Sequence, residues 1–321
     1  MAVVATVRGP IDVGELGTTL MHEHVFITSP DVRQNFPVEW HEDREVTNAV
    51  ERLDELKAVG VDTLVDLTVV GLGRNIAMVR RVAARTDLNI VVATGLYTFD
   101  EIPMFFHVRD LLGDPDALTR LFVRDVTEGI LDTGVKAAIL KCVTDQKGVT
   151  PGVERVLRAA AAAHRTTGAP ISTHTHAPSR RGLEQQTIFE SEGVDLRRIV
   201  IGHSGDTTDL TYLEELMARG SYIGMDRFGF DLLLPFEERV DTVAALCHRG
   251  HADQIVLSHD ASCGTDFATR AEVSAALPRW HYLHITRDVL PALRARGVTD
   301  DQIKQMLVDN PRNIFSRNEP Y

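Results

Sequence analysis

The feature that most constrains this chain is a couplet repeated along it: an amphipathic segment ends near a glycine, and a short β-branched, apolar run follows within a few residues. Val46, Val50, Leu53 and Leu56 have helical spacing, Gly60 stands where a helix C-terminus needs a glycine, and VDTLVDLT follows as a strand. Ile76, Val79 and Val82 precede NIVVATG, and the 121–130 segment with Gly134 precedes KAAILK. The pattern continues through PISTH, RIVIGH, SYIGMD and QIVLSHD; with TTLMHEHVF in front, that makes eight strands. Runs such as IVVAT and IVIG are apolar at successive positions, as parallel strands buried on both faces require. Strands alternating with helices predict an α/β fold, a single (β/α)8 TIM barrel occupying residues 1–321 as one domain, with an open doubly wound sheet as the alternative.

Composition narrows the partners. A formal charge of -12 disfavours nucleic acid, whose phosphates demand clustered Lys and Arg. No run approaches the ~18 apolar residues that span a bilayer, and no charged stretch with an apolar core opens the chain, so a cytoplasmic protein with no membrane partner is expected. The three cysteines, Cys142, Cys247 and Cys263, have no CxxC spacing and indicate neither a disulfide framework nor a thiolate metal site.

Two long connections leave the carboxyl ends of strands, where barrel active sites lie. One is 260–284, with Phe267, Pro278 and Trp280; the other is 97–116, with Phe99, Met104, Phe105 and Phe106. Their aromatic content suits ordered, substrate-covering loops and an apolar channel.

Residues that carry chemistry fall at that same rim. His22 and His24 are two apart on a predicted strand, so both point into the barrel while Glu23 points away. His-x-His alone is weak evidence, but Lys141 ends AAILK, His174 ends PISTH, His203 ends IVIGH and Asp260 ends IVLSHD. Different strands thus deliver metal-type groups to one place. Each could instead be a strand-end polar group making a hydrogen bond, a reading that fits any one of them and strains for all together. Lys141 needs its own account, because an ammonium has no lone pair for a metal. Three readings stand: a buried, neutral amine that takes up carbon dioxide to give a bridging carbamate, a salt bridge to Asp260, and a Schiff-base nucleophile.

MHEHVF, Lys141, STHTH, GLEQQ, IGHSGD, GMDRFGFD and SHDASC, spread from residue 21 to residue 263, together with RWHYL and DNPRNIF, make the chain resemble the amidohydrolase superfamily and, within it, the phosphotriesterase-like lactonases. That resemblance implies two divalent metal ions per chain, zinc foremost, with cobalt, iron or manganese as alternatives. It implies His22, His24 and Asp260 on one ion, His174 and His203 on the other, and carboxylated Lys141 bridging them with a hydroxide. Asp260 would carry a proton to the leaving oxygen, and Tyr97 and Arg227 would orient the substrate and hold the last loop. Cys263, Phe267 and Trp280 are the remaining pocket candidates. The implied substrates are N-acyl-homoserine lactones and related lactones, with weaker organophosphate hydrolysis and a homodimeric state. Its rivals are a dedicated phosphotriesterase or aryl esterase, a metal-free Schiff-base lyase built on Lys141, and a binding protein that uses metal only for stability.

Overall fold

The computed structural model describes residues 2–316 and 319–321. Its strands are β1 (Val3–Thr6), β2 (Gly9–Asp12), β3 (Thr19–Ile27), β4 (Thr63–Asp66), β5 (Asn89–Gly95), β6 (Ile139–Thr144), β7 (Ile171–Thr175), β8 (Ile199–Ile201), β9 (Tyr222–Met225), β10 (Ile255–Leu257) and β11 (Ser262–Thr265). β1 and β2 form an antiparallel hairpin, while the others run parallel in the order β10-β9-β8-β7-β6-β5-β4-β3-β11. Helices fill the connections, as in Glu42–Ala58 between β3 and β4 and Pro151–Thr167 between β6 and β7.

The chain is a TIM barrel, and its seam has an unusual construction. The eighth strand of the repeat is split: β10 pairs with β9, residues 258–261 break the ladder, and β11 resumes beside β3 from Ser262 opposite His24. Across the break the Asp260 amide donates to the His22 carbonyl (3.1 Å), and the His24 amide to the Ala261 carbonyl (2.9 Å). The Ser258 hydroxyl accepts from the His22 amide at 2.8 Å. Glu23, fully buried, accepts from the His259 amide (2.8 Å), the His259 imidazole (2.6 Å) and the Ala261 amide (3.0 Å). The second nitrogen of His259 accepts the Ile285 amide at 3.0 Å, so the ring is neutral with its proton toward Glu23.

Two apolar clusters sit on either side of the sheet. Inside the barrel, Met21, Val65, Val91, Ile139, Val200 and Val256 pack together, and Leu16, Val4 and Phe315 plug the end opposite the carboxyl termini of the strands. Outside, the larger cluster joins the helices to the wall, with Leu53 and Leu56 of Glu42–Ala58 and Val156 and Leu157 of Pro151–Thr167 fully or almost fully buried.

Several boundaries differ from the sequence expectation. The β1–β2 hairpin and β11 lie in segments with no strand pattern of their own, and the 260–284 connection also carries a helix, Arg270–Ala276. The 97–116 connection likewise carries Met104–Leu111. β6 begins only at Ile139 and runs on through Cys142, Val143 and Thr144, so Lys141 falls in its middle and not at its end. His203 and Asp260 lie beyond β8 and β10, both in left-handed backbone with φ of 57° and 56°.

Because Glu23 joins the two sides of the seam, Glu23→Gln should cost roughly 1–3 kcal/mol, since the amide keeps one acceptor but turns its N–H groups toward a buried donor that loses its partner. Chemical denaturation with unchanged slope but a lower midpoint would show it; a midpoint equal to that of the parent would refute the seam's importance.

Candidate metal centre

The carboxyl-terminal mouth of the barrel gathers the polar groups of the rim. One ligand-type atom from each of His22, His203 and Asp260 lies within 4.8 Å of the others. His22 Nε2 stands 3.6 Å from Asp260 Oδ1, His24 Nε2 3.0 Å from the same oxygen, and His203 Nε2 3.7 Å from Oδ2. Three imidazoles therefore turn the same nitrogen toward one carboxylate.

That orientation is set from behind. Asp226, buried just past β9, takes His22 Nδ1 at 2.8 Å on one oxygen and both the amide and Nδ1 of His203, at 2.8 and 2.9 Å, on the other. His24 Nδ1 meets Thr68 Oγ1 at 2.8 Å, and that hydroxyl is held in turn by Asp66 at 2.6 Å. Each ring thus carries its proton on Nδ1 and offers a lone pair from Nε2, the arrangement by which outer partners aim histidine ligands. Gly202 makes room for this: a Cβ there would fall 2.0 Å from the Thr173 carbonyl oxygen. His174 is turned the other way, its Nε2 2.6 Å from Asp145 Oδ2 and its Nδ1 3.4 Å from the Tyr97 hydroxyl. Its ring centroid is 4.5 Å from that of His203.

Lys141 is 1% exposed, with Nζ 2.8 Å from His22 Nε2 and 3.1 Å from the Thr173 carbonyl. Burial lowers its ammonium to about 8, despite the opposing charges of Asp260 and Asp226. Burial also works against charge on Asp260, yet the Arg227 guanidinium holds that carboxyl well below its usual range. Arg227 is anchored in its own right: Nε bonds Asp260 Oδ2 and Nη1 bonds Asp206 Oδ2, both at 2.9 Å. Asp206 is gripped from the far side by buried Arg239 at 2.7 Å. The Tyr97 phenol is pushed up by burial and by the Asp260 charge, so it stays protonated.

The donors fit divalent cations. Imidazole nitrogens and a carboxylate, fixed in tautomer and converging with no apolar group between them, are the ligand chemistry of zinc and its neighbours. His22, His24, His174, His203, Asp260 and Lys141 could hold them, Lys141 after loss of its proton. Tyr97 and Arg227 stand at the edge of this set. Cys263, Phe267 and Trp280 do not join it. Cys263 lies in β11, within the barrel wall, 3.3 Å from the Tyr282 hydroxyl; Phe267 is 62% exposed; and Trp280 donates to the His259 carbonyl at 2.7 Å. All three line a neighbouring cavity that none of the other candidates touches. Asp226, Asp145, Asp206 and Arg239 escape a reading by strand pattern. Asp226, the last residue of SYIGMD, and Asp206, the last of IGHSGD, leave a trace in the sequence, but neither pattern shows what the side chain faces.

Barrel and rim together define a metal-dependent hydrolase of the amidohydrolase kind. The chain matches the model of the Phosphotriesterase family over residues 2–315, and it belongs to that family, whose members are binuclear and metal-dependent. It is 62% identical over 320 residues to a phosphotriesterase homology protein of Mycobacterium tuberculosis, covering 98% of each chain. The aryldialkylphosphatase of Saccharolobus solfataricus is 40% identical over 311 residues, 96% of this chain and 98% of that one. Among solved structures, the phosphotriesterase from Mycobacterium tuberculosis superimposes with a TM-score of 0.96 at 60% identity, over 99% of this chain and 100% of that one. A structure from the molecular engineering of organophosphate hydrolysis activity from a weak promiscuous lactonase template gives 0.88 at 36% identity, over 98% and 100%.

Two predictions follow from the buried imidazoles. Asp226→Asn turns an N–H donor toward a ring that also donates, so metal affinity should fall ~10–100-fold, measured by chelator competition, with the circular dichroism unchanged. Undiminished affinity would remove Asp226 from the site. For acid stability the sign is fixed by burial, which holds His174 down to about 4 and His259 to about 3 and lowers His22 and His203 as well. Histidine in the unfolded chain titrates near ~6.5, so below that pH the unfolded state takes up protons first. These rings therefore contribute in full above about pH 6.5 and lose that contribution toward pH 4, while the Glu23 and Asp226 carboxyls, raised by burial, act in the opposite direction; with these four rings against these two carboxyls, metal-free protein should lose melting temperature across that window, and a flat profile would contradict this balance.

Proposed function

We propose that this protein is a binuclear metal-dependent lactonase that opens N-acyl-homoserine lactones and related lactones, with weaker hydrolysis of phosphotriesters at the same centre. The observation that carries the reading is the convergence of His22, His24, His203 and Asp260 around buried Lys141, with Arg227 on Asp260 and Tyr97 beside His174.

Two divalent cations, when bound, bring the pKa of a shared water toward neutrality and polarise the oxygen under attack. The chain's own groups do the rest. Asp226, Thr68 and Asp145 fix the rings, so little reorganisation is needed as charge develops. Lys141, enclosed between His22 and the Thr173 carbonyl, has the depressed ammonium that uptake of carbon dioxide requires, and as a carbamate it supplies two oxygens facing the rings. That enclosure disfavours the Schiff-base reading, because a carbonyl substrate would have to displace both partners. Asp260 carries a proton to the leaving oxygen; Tyr97, protonated, and Arg227, charged, position the ester.

Preference for a lactone is supported by the surroundings. Phe99 lies 5.1 Å from the Tyr97 ring and 5.5 Å from that of His174, giving an apolar surface next to the centre for an acyl chain. The weak promiscuous lactonase template among the similar structures supports the same assignment, and the aryldialkylphosphatase relative supports the side activity. Zinc is the expected ion. A homodimer and a role in degrading signalling lactones complete the proposal.

Emission spectroscopy should find about two metals per chain, and chelation should abolish hydrolysis of N-decanoyl-homoserine lactone, with zinc or cobalt restoring it. The lactone should exceed paraoxon in kcat/KM by at least ~100-fold, the discrimination that a few pocket contacts supply. After growth on labelled bicarbonate, a carbamate carbon signal should be present and should vanish in Lys141→Met. Turnover by protein without metal would overturn the proposal and return Lys141 to Schiff-base chemistry.

A further inference from the structure

Beside the barrel mouth lies a cavity of about 760 Å³, inside the range of small-molecule sites, and no candidate metal ligand lines it. It is bounded by β11, by the first turns of helix Glu42–Ala58, by the 29–39 segment and by the 266–281 part of the last connection. Val32, Phe36, Phe267, Val273 and Leu277 supply apolar wall.

The charges around it are unequal in a way that a count of acids and bases conceals. Every carboxylate of the lining already has a partner. Glu39 and Glu45 take Arg44 at 2.7 and 3.1 Å. Glu272 accepts the amide and hydroxyl of Thr269, each at 2.7 Å. Asp266 accepts the Ser29 amide at 2.9 and 3.0 Å and faces Arg33 at 3.8 Å. Two lining guanidiniums remain. Arg52 donates to the Ser262 carbonyl at 2.8 Å, and neither it nor Arg270 has a carboxylate within 4.0 Å among the described residues. Burial and the Arg52 charge both lower Arg270, so the two cations stand near enough to repel each other. Glu45 and Glu51 offset part of this charge from a distance without pairing with either guanidinium. Two guanidiniums with no carboxylate in contact, at the edge of an apolar cavity, are complementary to an anion with a hydrocarbon body.

We infer that this cavity is a second ligand site, separate from the metal centre, that takes an amphiphilic carboxylate: its headgroup on Arg270 and Arg52, its chain against Phe36, Val273 and Leu277. The site does not depend on which ester the metal centre hydrolyses. Opening an N-acyl lactone releases an amphiphile with a hydrocarbon chain at one end and a new carboxylate at the other, so, on the function proposed above, the class of reaction that fills the site includes this protein's own.

The test uses metal-loaded protein and sodium decanoate, with decanol as the uncharged probe. The chain contains two tryptophans, Trp40 and Trp280, and Trp280 lines the cavity, so intrinsic fluorescence reads occupancy directly. Decanoate should give a saturable change and bind at least ~10-fold tighter than decanol, as a charge-assisted hydrogen bond supplies. Arg270→Gln should remove that difference, leave decanol binding unchanged and leave lactone turnover unchanged. Trp280→Phe should lose the signal while calorimetry still detects decanoate. Equal binding of decanol and decanoate, or undiminished decanoate binding by Arg270→Gln, would overturn the inference. So would a decanoate signal that disappears when the metals are chelated, since the carboxylate would then be sitting on the metal centre.

Discussion

The seam between the first and last strands is the constraint on which the rest of the structure depends. A barrel of parallel strands must close, and an unbroken eighth strand would close it with a regular ladder. Here the ladder is interrupted at 258–261: two backbone bonds still cross the break, and the Glu23 carboxylate and the Ser258 hydroxyl take the remaining amides. The interruption places Asp260 in left-handed backbone, an arrangement that costs on the order of 1–3 kcal/mol for a residue with a Cβ. What is gained is direction: the carboxylate swings over the barrel axis, where it meets His22, His24 and His203. His203 adopts the same backbone conformation after β8. Two of the rim's principal groups are therefore held by strain that the surrounding wall enforces.

Gathering so many polar groups at the end of an apolar barrel is unfavourable unless each is partnered. The structure meets this with layers. Behind the rings sit Asp226, Thr68 and Asp145, and behind Arg227 sit Asp206 and Arg239, a chain of ion pairs leading from Asp260 to a side chain 1% exposed. Arg239 in turn donates to the Gly205 carbonyl at 2.6 Å and the Leu234 carbonyl at 3.0 Å, so the end of the chain is fixed to backbone. Rigidity at the rim is inherited from these connections more than from the strands themselves.

How much of this the sequence reveals depends on the kind of signal each feature leaves. NIVVATG coincides with β5 because a doubly buried parallel strand leaves a continuous apolar run. The alternation of β3 correctly separates His22 and His24 from Glu23, since period two is a geometric property of any strand. The SCGT of β11 leaves no such trace: its pairing is imposed by the barrel's need to close, and nothing in four small residues records that need. Lys141 is legible as a rim residue, but its place within β6 is not, because the charge of Lys141 reads as the end of AAILK while the strand runs on through Cys142, Val143 and Thr144. Left-handed backbone at His203 and Asp260 has no hydropathy signature at all. Asp226 closes its strand as visibly as Asp260 does, yet only three dimensions show that it reaches the backs of two rings and not the centre. The misplacement of Cys263, Phe267 and Trp280 has the same origin: a long connection read as one covering loop is in fact a strand, a helix and the wall of a second cavity.

Proton movement at the rim is limited by the same connections. Asp260, Arg227 and Asp206 form a continuous line, and such a line invites reading as a proton wire. A guanidinium cannot serve in one, because it has donors only and, held between two carboxylates, Arg227 is raised still further from deprotonation. The line is electrostatic: it keeps Asp260 ionised and aimed, and passes nothing along. On the proposed mechanism, a proton taken up by Asp260 would therefore depart on the open side, with the leaving oxygen or to solvent, and the 16% exposure of its side chain supplies that opening. This divides the mouth of the barrel: the buried side holds geometry and charge, and the exposed side is where the proposed proton transfer and substrate would act.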